Sequence, residues 1–192
     1  MLLRTLALIL LIGYPLSSLA QTNGDSLQKT RYFYENGQVS SEGTLRNGKP
    51  DGFWKSYYRN GLLKAEGNRK NFELDGNWIF YDRDGFKTSE INYQKGQRSG
   101  LSKKYLEGRL LKIDRYENNI QEGVSQFFYP DSSLQKEVPY VDGQQSGEGF
   151  EYSKDGRIIT LLSFKNGSLI RKQNVNRFDQ QEQKQGLWLS FH

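Results

Sequence analysis

Apolar and polar residues alternate along short stretches of this chain, each stretch closed by a small polar turn. In an early stretch Val39, Ser41, Gly43 and Leu45 interleave with Gln38, Ser40, Glu42 and Thr44, and in a late one Ile158, Thr160, Leu162 and Phe164 keep the same step. A period of two places one set of side chains on one face of an extended strand and the other set in water. The pattern predicts strands rather than helices.

The stretches recur in register. Glycines open successive units at Gly52, Gly76, Gly100, Gly123 and Gly147, in steps of 24, 24, 23 and 24 residues. Five residues after each stands an aromatic: Tyr57, Tyr81, Tyr105, Phe128 and Tyr152. A turn follows at Asn60-Gly61, Asp84-Gly85, Glu107-Gly108, Ser132-Ser133 and Asp155-Gly156, with Asn36-Gly37 heading a partial unit. A second turn closes the units at Asn47-Gly48, Lys95-Gly96, Asn118-Asn119, Asp142-Gly143 and Asn166-Gly167. Phe72 holds that slot in the first full unit, which predicts a different turn there. Asn-Gly and Asp-Gly suit the positive φ of a two-residue type I′ loop, so each unit reads as a β-hairpin.

Consecutive hairpins pairing edge to edge give an all-β fold, an elongated single-layer antiparallel meander. About eleven strands at ~4.8 Å each would extend on the order of 50 Å. Like aromatics of neighbouring units are expected to stack across the sheet, at about 0.2–1 kcal/mol per pair. Single hairpins are not stable alone, so the units must hold one another up. Phe53, Tyr57, Ile79, Tyr81, Leu101 and Tyr105 are assigned to one face, and Trp54, Tyr58, Trp78 and Phe80 to the other.

Composition fits this picture. The 192 residues are 14% aromatic and include 20 Gly but 1 Met and 4 Pro, which suits short strands and tight turns. Residues 1–20 carry Arg4 as their one charge, an apolar stretch from Leu6 to Ile12, and small residues at Ser18 and Ala20. That is the layout of a cleaved secretory signal peptide, too short to span a bilayer, with cleavage expected before Gln21. The chain is thus expected in the periplasm, outer envelope or exterior of a bacterium. No apolar run after the signal is long enough for a transmembrane segment, and no cysteine is present to supply disulfides. The formal charge of +5 comes from Lys and Arg scattered among acids, which argues against a nucleic-acid partner.

Candidate chemistry is sparse. The sole histidine is His192, and neither a cysteine nor a Gly-x-Ser-x-Gly elbow is present, so nucleophilic catalysis has no base beside a nucleophile. Glu42, Glu66, Glu90 and Glu137 occupy one repeat slot, which marks them as structural rather than catalytic. Asp82-Arg83-Asp84-Gly85 lacks the first and last ligands of a calcium loop and reads as a turn. Gly147-Glu148-Gly149 lacks the third glycine of a dinucleotide loop. No enzyme activity, metal or cofactor is expected. Asn166-Gly167-Ser168 fits a glycosylation acceptor, yet the closing turn already explains it.

Gly52-Phe53-Trp54-Lys55-Ser56-Tyr57-Tyr58-Arg59-Asn60-Gly61, followed by Glu66-Gly67, resembles the MORN repeat in the bacterial variant of YwqK-type antitoxin-like proteins. Gly76-Asn77-Trp78 and Gly186-Leu187-Trp188 repeat its opening, whereas Ser102, Ser125 and Gly149 stand in place of the Trp. The resemblance implies a scaffold or interaction surface and an antitoxin- or immunity-like role. The expected layout is a signal peptide at 1–20, a disordered N-terminal segment at 21–30, the MORN-like array at 31–170, a linker at 171–185 and an incomplete repeat at 186–192. Leu187 to Phe191 is expected to form a lone final strand. The function read from the sequence is non-enzymatic binding of another protein, with Trp54, Tyr58 and Trp78 as candidate contacts. The alternative is stacking of those rings on cell-wall glycan.

Overall fold

The computed structural model describes residues 26–178, 181 and 183–189; the expected signal peptide, residues 21–25 and residues 190–192 lie outside them. The first half holds β1 (Gln28–Phe33), β2 (Val39–Arg46), β3 (Lys49–Tyr57), β4 (Leu63–Lys70), β5 (Glu73–Tyr81), β6 (Lys87–Gln94), β7 (Gln97–Leu106) and β8 (Arg109–Glu117). The second half holds β9 (Ile120–Gln121), β10 (Gly123–Phe128), β11 (Leu134–Val141), β12 (Gln144–Gln145), β13 (Gly147–Tyr152), β14 (Ile158–Lys165) and β15 (Ser168–Asn174). β16 (Arg177–Phe178) and β17 (Lys184–Gln185) form a separate pair.

The first fifteen strands form one antiparallel sheet, each main strand beside its sequence neighbour. β9 and β12 are the first residues of β10 and β13, cut off by a bulge, so the order has no crossover. The tandem-hairpin meander is therefore the fold. It runs two strands longer than eleven, because β1 pairs with β2 at the start and β15 with β14 at the end.

The two turn families separate cleanly. The closing turns are the two-residue loops with both φ positive: Asn47 and Gly48 have φ 51° and 75°, and Asn71 and Phe72 have 50° and 72°. Phe72 thus enters the same turn as its counterparts, contrary to the sequence expectation. The opening turns are three-residue loops instead of type I′ pairs. Tyr58 N–H donates to Leu62 O (2.8 Å), Gly61 N–H donates to Tyr58 O (2.9 Å), and only Gly61 has positive φ. This is a type I turn with a glycine bulge, and Asn60 Oδ1 supports it by accepting from Leu62 N–H. Glu107-Gly108 is the exception, a two-residue loop with φ 49° and 79°. One loop residue fewer accounts for the single 23-residue step.

Each opening glycine also adopts positive φ, 87° at Gly52 and 71° at Gly76, where the strand bulges. Three residues, Gly76 to Trp78, there oppose Gly67 alone. A side chain at this φ would be strained, and that is why glycine marks the slot.

Both ends of the array depart from the expected layout. β1 begins at Gln28, inside the segment expected to be disordered, because its backbone pairs from Gln28↔Leu45 onward. β15 extends to Asn174, and β16 and β17 lie within the expected linker. Leu187 does not begin a new edge strand. It makes a parallel bridge to Val175, and Leu189 packs against Ile158, Leu161 and Val175. The tail folds back over β14, which is apolar on both faces, and its Val175 and Leu189 cover Ile158 and Leu161.

Candidate binding site

The register builds one tryptophan face. Trp54 and Trp78 are only 9% and 4% exposed and form a core with Ala65, flanked by Leu45, Leu74, Phe80 and Tyr93. Each indole lies on a glycine of the preceding strand: a Cβ on Gly43 would come within 2.1 Å of Trp54, and one on Gly67 within 2.5 Å of Trp78. Trp78 Nε1 donates to Asn68 O (2.7 Å).

Where the slot holds Ser or Gly in place of Trp, the facing residues are larger than the glycines at 43 and 67. Ser102 faces Ile91, Gly149 faces Leu162 and Ser125 faces Val138. Val138, Leu162 and Phe164 make a second apolar cluster. Between the two clusters the face is polar. Asp114 Oδ1 accepts from Ser125 Oγ (2.5 Å), Gln121 Nε2 (2.8 Å) and Lys112 Nζ (2.9 Å), and Ser125 is 1% exposed. Lys112 lies directly opposite Lys104, and Phe127 takes Lys112 and Lys136 over its ring.

The opposite face carries a ladder of charge. Arg31, Glu42, Lys55, Glu66, Ile79, Glu90 and Lys103 stand side by side, one per strand. Arg31 pairs with Glu42 at 2.8 Å, Lys55 with Glu66 at 3.6 Å and Lys103 with Glu90 at 3.5 Å. The repeat tyrosines bond to this ladder instead of stacking on one another, since like slots lie two strands, ~9.6 Å, apart. Tyr57 donates to Glu42 (2.6 Å), Tyr81 to Glu66 (2.9 Å) and Tyr152 to Glu137 (2.7 Å). Burial, then the bond to Glu42, pushes the Tyr57 phenol up to about 12. Burial raises Tyr81 and Tyr152 as well. The Tyr57 phenol and then the Arg31 guanidinium hold the Glu42 carboxyl below its usual value. The repeated glutamates are thus engaged in structure.

The three contacts expected from sequence do not share a surface. Trp54 and Trp78 are core residues, because the facing glycines leave room for the indoles to lie flat. Tyr58 is half-buried at the opening-turn edge, where it lines a cleft of ≈ 510 Å³ with Tyr34, Arg59, Asn60, Lys64 and Arg83. A third slot, the residue after the opening glycine, lies on the face to which the alternation assigned Phe53 and Leu101; Asn77 and Glu148 hold it in two of the units. On the ladder face Phe53, Leu101 and Val124 occupy it, 48%, 42% and 49% exposed. Alternation carries through the bulge, because three residues there oppose one and the parity of the strand is kept. Among the described residues no group of three or more His, Cys, Asp or Glu side chains is placed to hold a metal ion.

Three segments match the family model described as MORN repeat variant: residues 29–47, 50–71 and 121–142. The MORN-like matches fall on β1–β2, on β3–β4, and on β9 to β11 with its closing turn. Repeats of this kind are in general protein- or membrane-binding motifs. No curated protein matches the chain.

Proposed function

We propose that this chain is an exported, non-enzymatic scaffold that docks a protein partner on its ladder face. Support comes from Phe53, Leu101 and Val124, equivalent apolar positions of three units that remain nearly half exposed while polar residues surround them. Apolar side chains held open on a rigid sheet mark interaction surfaces. An antitoxin- or immunity-like role is the form that the YwqK-type resemblance suggests, with the toxin acting outside the cytoplasm. The glycan alternative loses its stacking platform, since both indoles are covered.

The test places a photo-crosslinking side chain at position 53, 101 or 124 in the exported chain, and at position 104 on the tryptophan face. A discrete protein adduct from the first three positions alone is expected. Adducts of equal yield from both faces, or none from any, would rule the docking face out.

A further inference from the structure

The cleft beside Tyr58 has a chemistry that the docking role does not use. Its walls are tied down: Tyr34 Oη donates to Tyr57 O (2.6 Å), Tyr58 Oη to Tyr81 O (2.7 Å), and Asn60 Nδ2 to Arg83 O (3.0 Å). Three cations then converge on it without a carboxylate among the lining residues. The Arg59 guanidinium lies 5.6 Å from the Tyr34 ring centre and the Lys64 ammonium 5.8 Å from that of Tyr58. Arg83 comes from the next opening turn. None of the three forms an ion pair with another described residue, in contrast to Lys55, Lys87, Lys103 and Lys112 nearby in the array.

The cleft also breaks the repeat. The same tyrosine frame recurs where Tyr129 Oη donates to Tyr152 O, but the positions of Arg59 and Arg83 are held there by Pro130 and Lys154. A structural device would recur with the frame; this trio of cations occurs where two successive turns both carry arginine. Guanidinium forks match tetrahedral oxyanions, and an anion between them relieves the mutual repulsion of three like charges.

We propose that Arg59, Lys64 and Arg83 form a binding site for a phosphate-class oxyanion bearing at least two charges, free or carried on a larger molecule. Exposed cations make such a site weak and salt-sensitive.

The exported chain, with arginine side-chain nitrogens followed by NMR, is titrated with inorganic pyrophosphate at low salt. Saturable shifts of the Arg59 and Arg83 Nε signals are expected. Arg83→Gln should weaken binding at least about tenfold, and Arg59→Lys less than Arg59→Gln, because a guanidinium fork outperforms a point charge. Arg171→Gln on the edge strand β15 serves as the control and should leave binding unchanged. A parallel arm at pH 8 measures sedimentation with equimolar phosphatidylcholine–phosphatidic acid vesicles, whose phosphomonoester headgroup can carry two charges. Arg83-dependent binding of pyrophosphate alone supports a soluble phosphate ligand, and Arg83-dependent binding of vesicles supports a headgroup. Absence of both, or binding that Arg171→Gln weakens as much as Arg83→Gln, overturns the site.

Discussion

Gly67→Ala adds one methyl group at the point where the array is tightest. Its Cβ would sit 2.5 Å from two carbons of the Trp78 indole, far inside van der Waals contact. Gly67 has ordinary negative φ, so backbone strain does not enter. The indole must therefore move. It can do so only by giving up its cover over Ala65 and Phe80 and the 2.7 Å bond from Nε1 to Asn68 O. Overpacking of this kind costs about 1–3 kcal/mol, and loss of the hydrogen bond about 1 kcal/mol within that range. Trp78→Ala alone should cost about 3–5 kcal/mol. In that background the clash is gone, and Gly67→Ala should be neutral or stabilising by about 0.4–1 kcal/mol through the unfolded chain. The sign of one substitution thus reverses with the residue opposite. Urea unfolding of the four proteins, followed by circular dichroism, gives the coupling directly. An equal cost for Gly67→Ala with and without the indole would refute the account of large and small residues packed in pairs.

Phe72→Gly relieves a left-handed conformation worth about 1–2 kcal/mol and forfeits a cation–π contact from Lys49 worth about 0.5–1 kcal/mol, so a rise in the urea midpoint is expected; a fall would show that the contact dominates. Asp114→Ala strips Ser125, Gln121 and Lys112 of their shared acceptor and should cost about 1–3 kcal/mol, checked against Glu148→Ala, where a comparable loss would discount the polar node. Tyr57 has a folded pKa above its unfolded value, so its contribution is whole below pH ~10 and declines as pH rises through about 12. Tyr57→Phe should flatten that alkaline decline in a stability–pH profile, and an unchanged slope would count against the bond to Glu42.

The hairpin order was legible because alternation and turn glycines each report a local rule, and the two agreed. What the sequence left hidden is which face of the sheet is covered. Phe53 and Trp54 are adjacent aromatics with equal claim to the surface, and only Gly43 and Gly67, eleven and thirteen residues away, decide that Trp54 is covered and Phe53 open. Ser102, Ser125 and Gly149 stand where Trp54 and Trp78 stand in the first two full units, and the strands beside them bring Ile91, Val138 and Leu162 to face those small residues. The cation trio escaped notice for a similar reason. Arg59 and Arg83 are 24 positions apart in sequence, and become neighbours only because successive opening turns stack along one sheet edge.

Tyr34 to Tyr57, Tyr58 to Tyr81 and Tyr129 to Tyr152 are the same stitch, each spanning 23 residues. A chain sewn this way can be lengthened at its seams. Copying one stitched segment in tandem repeats the seam and moves whatever is mounted beyond it by two strand widths, ~10 Å, whereas Asp82, Leu106 and Ser153 hold the same position without the stitch.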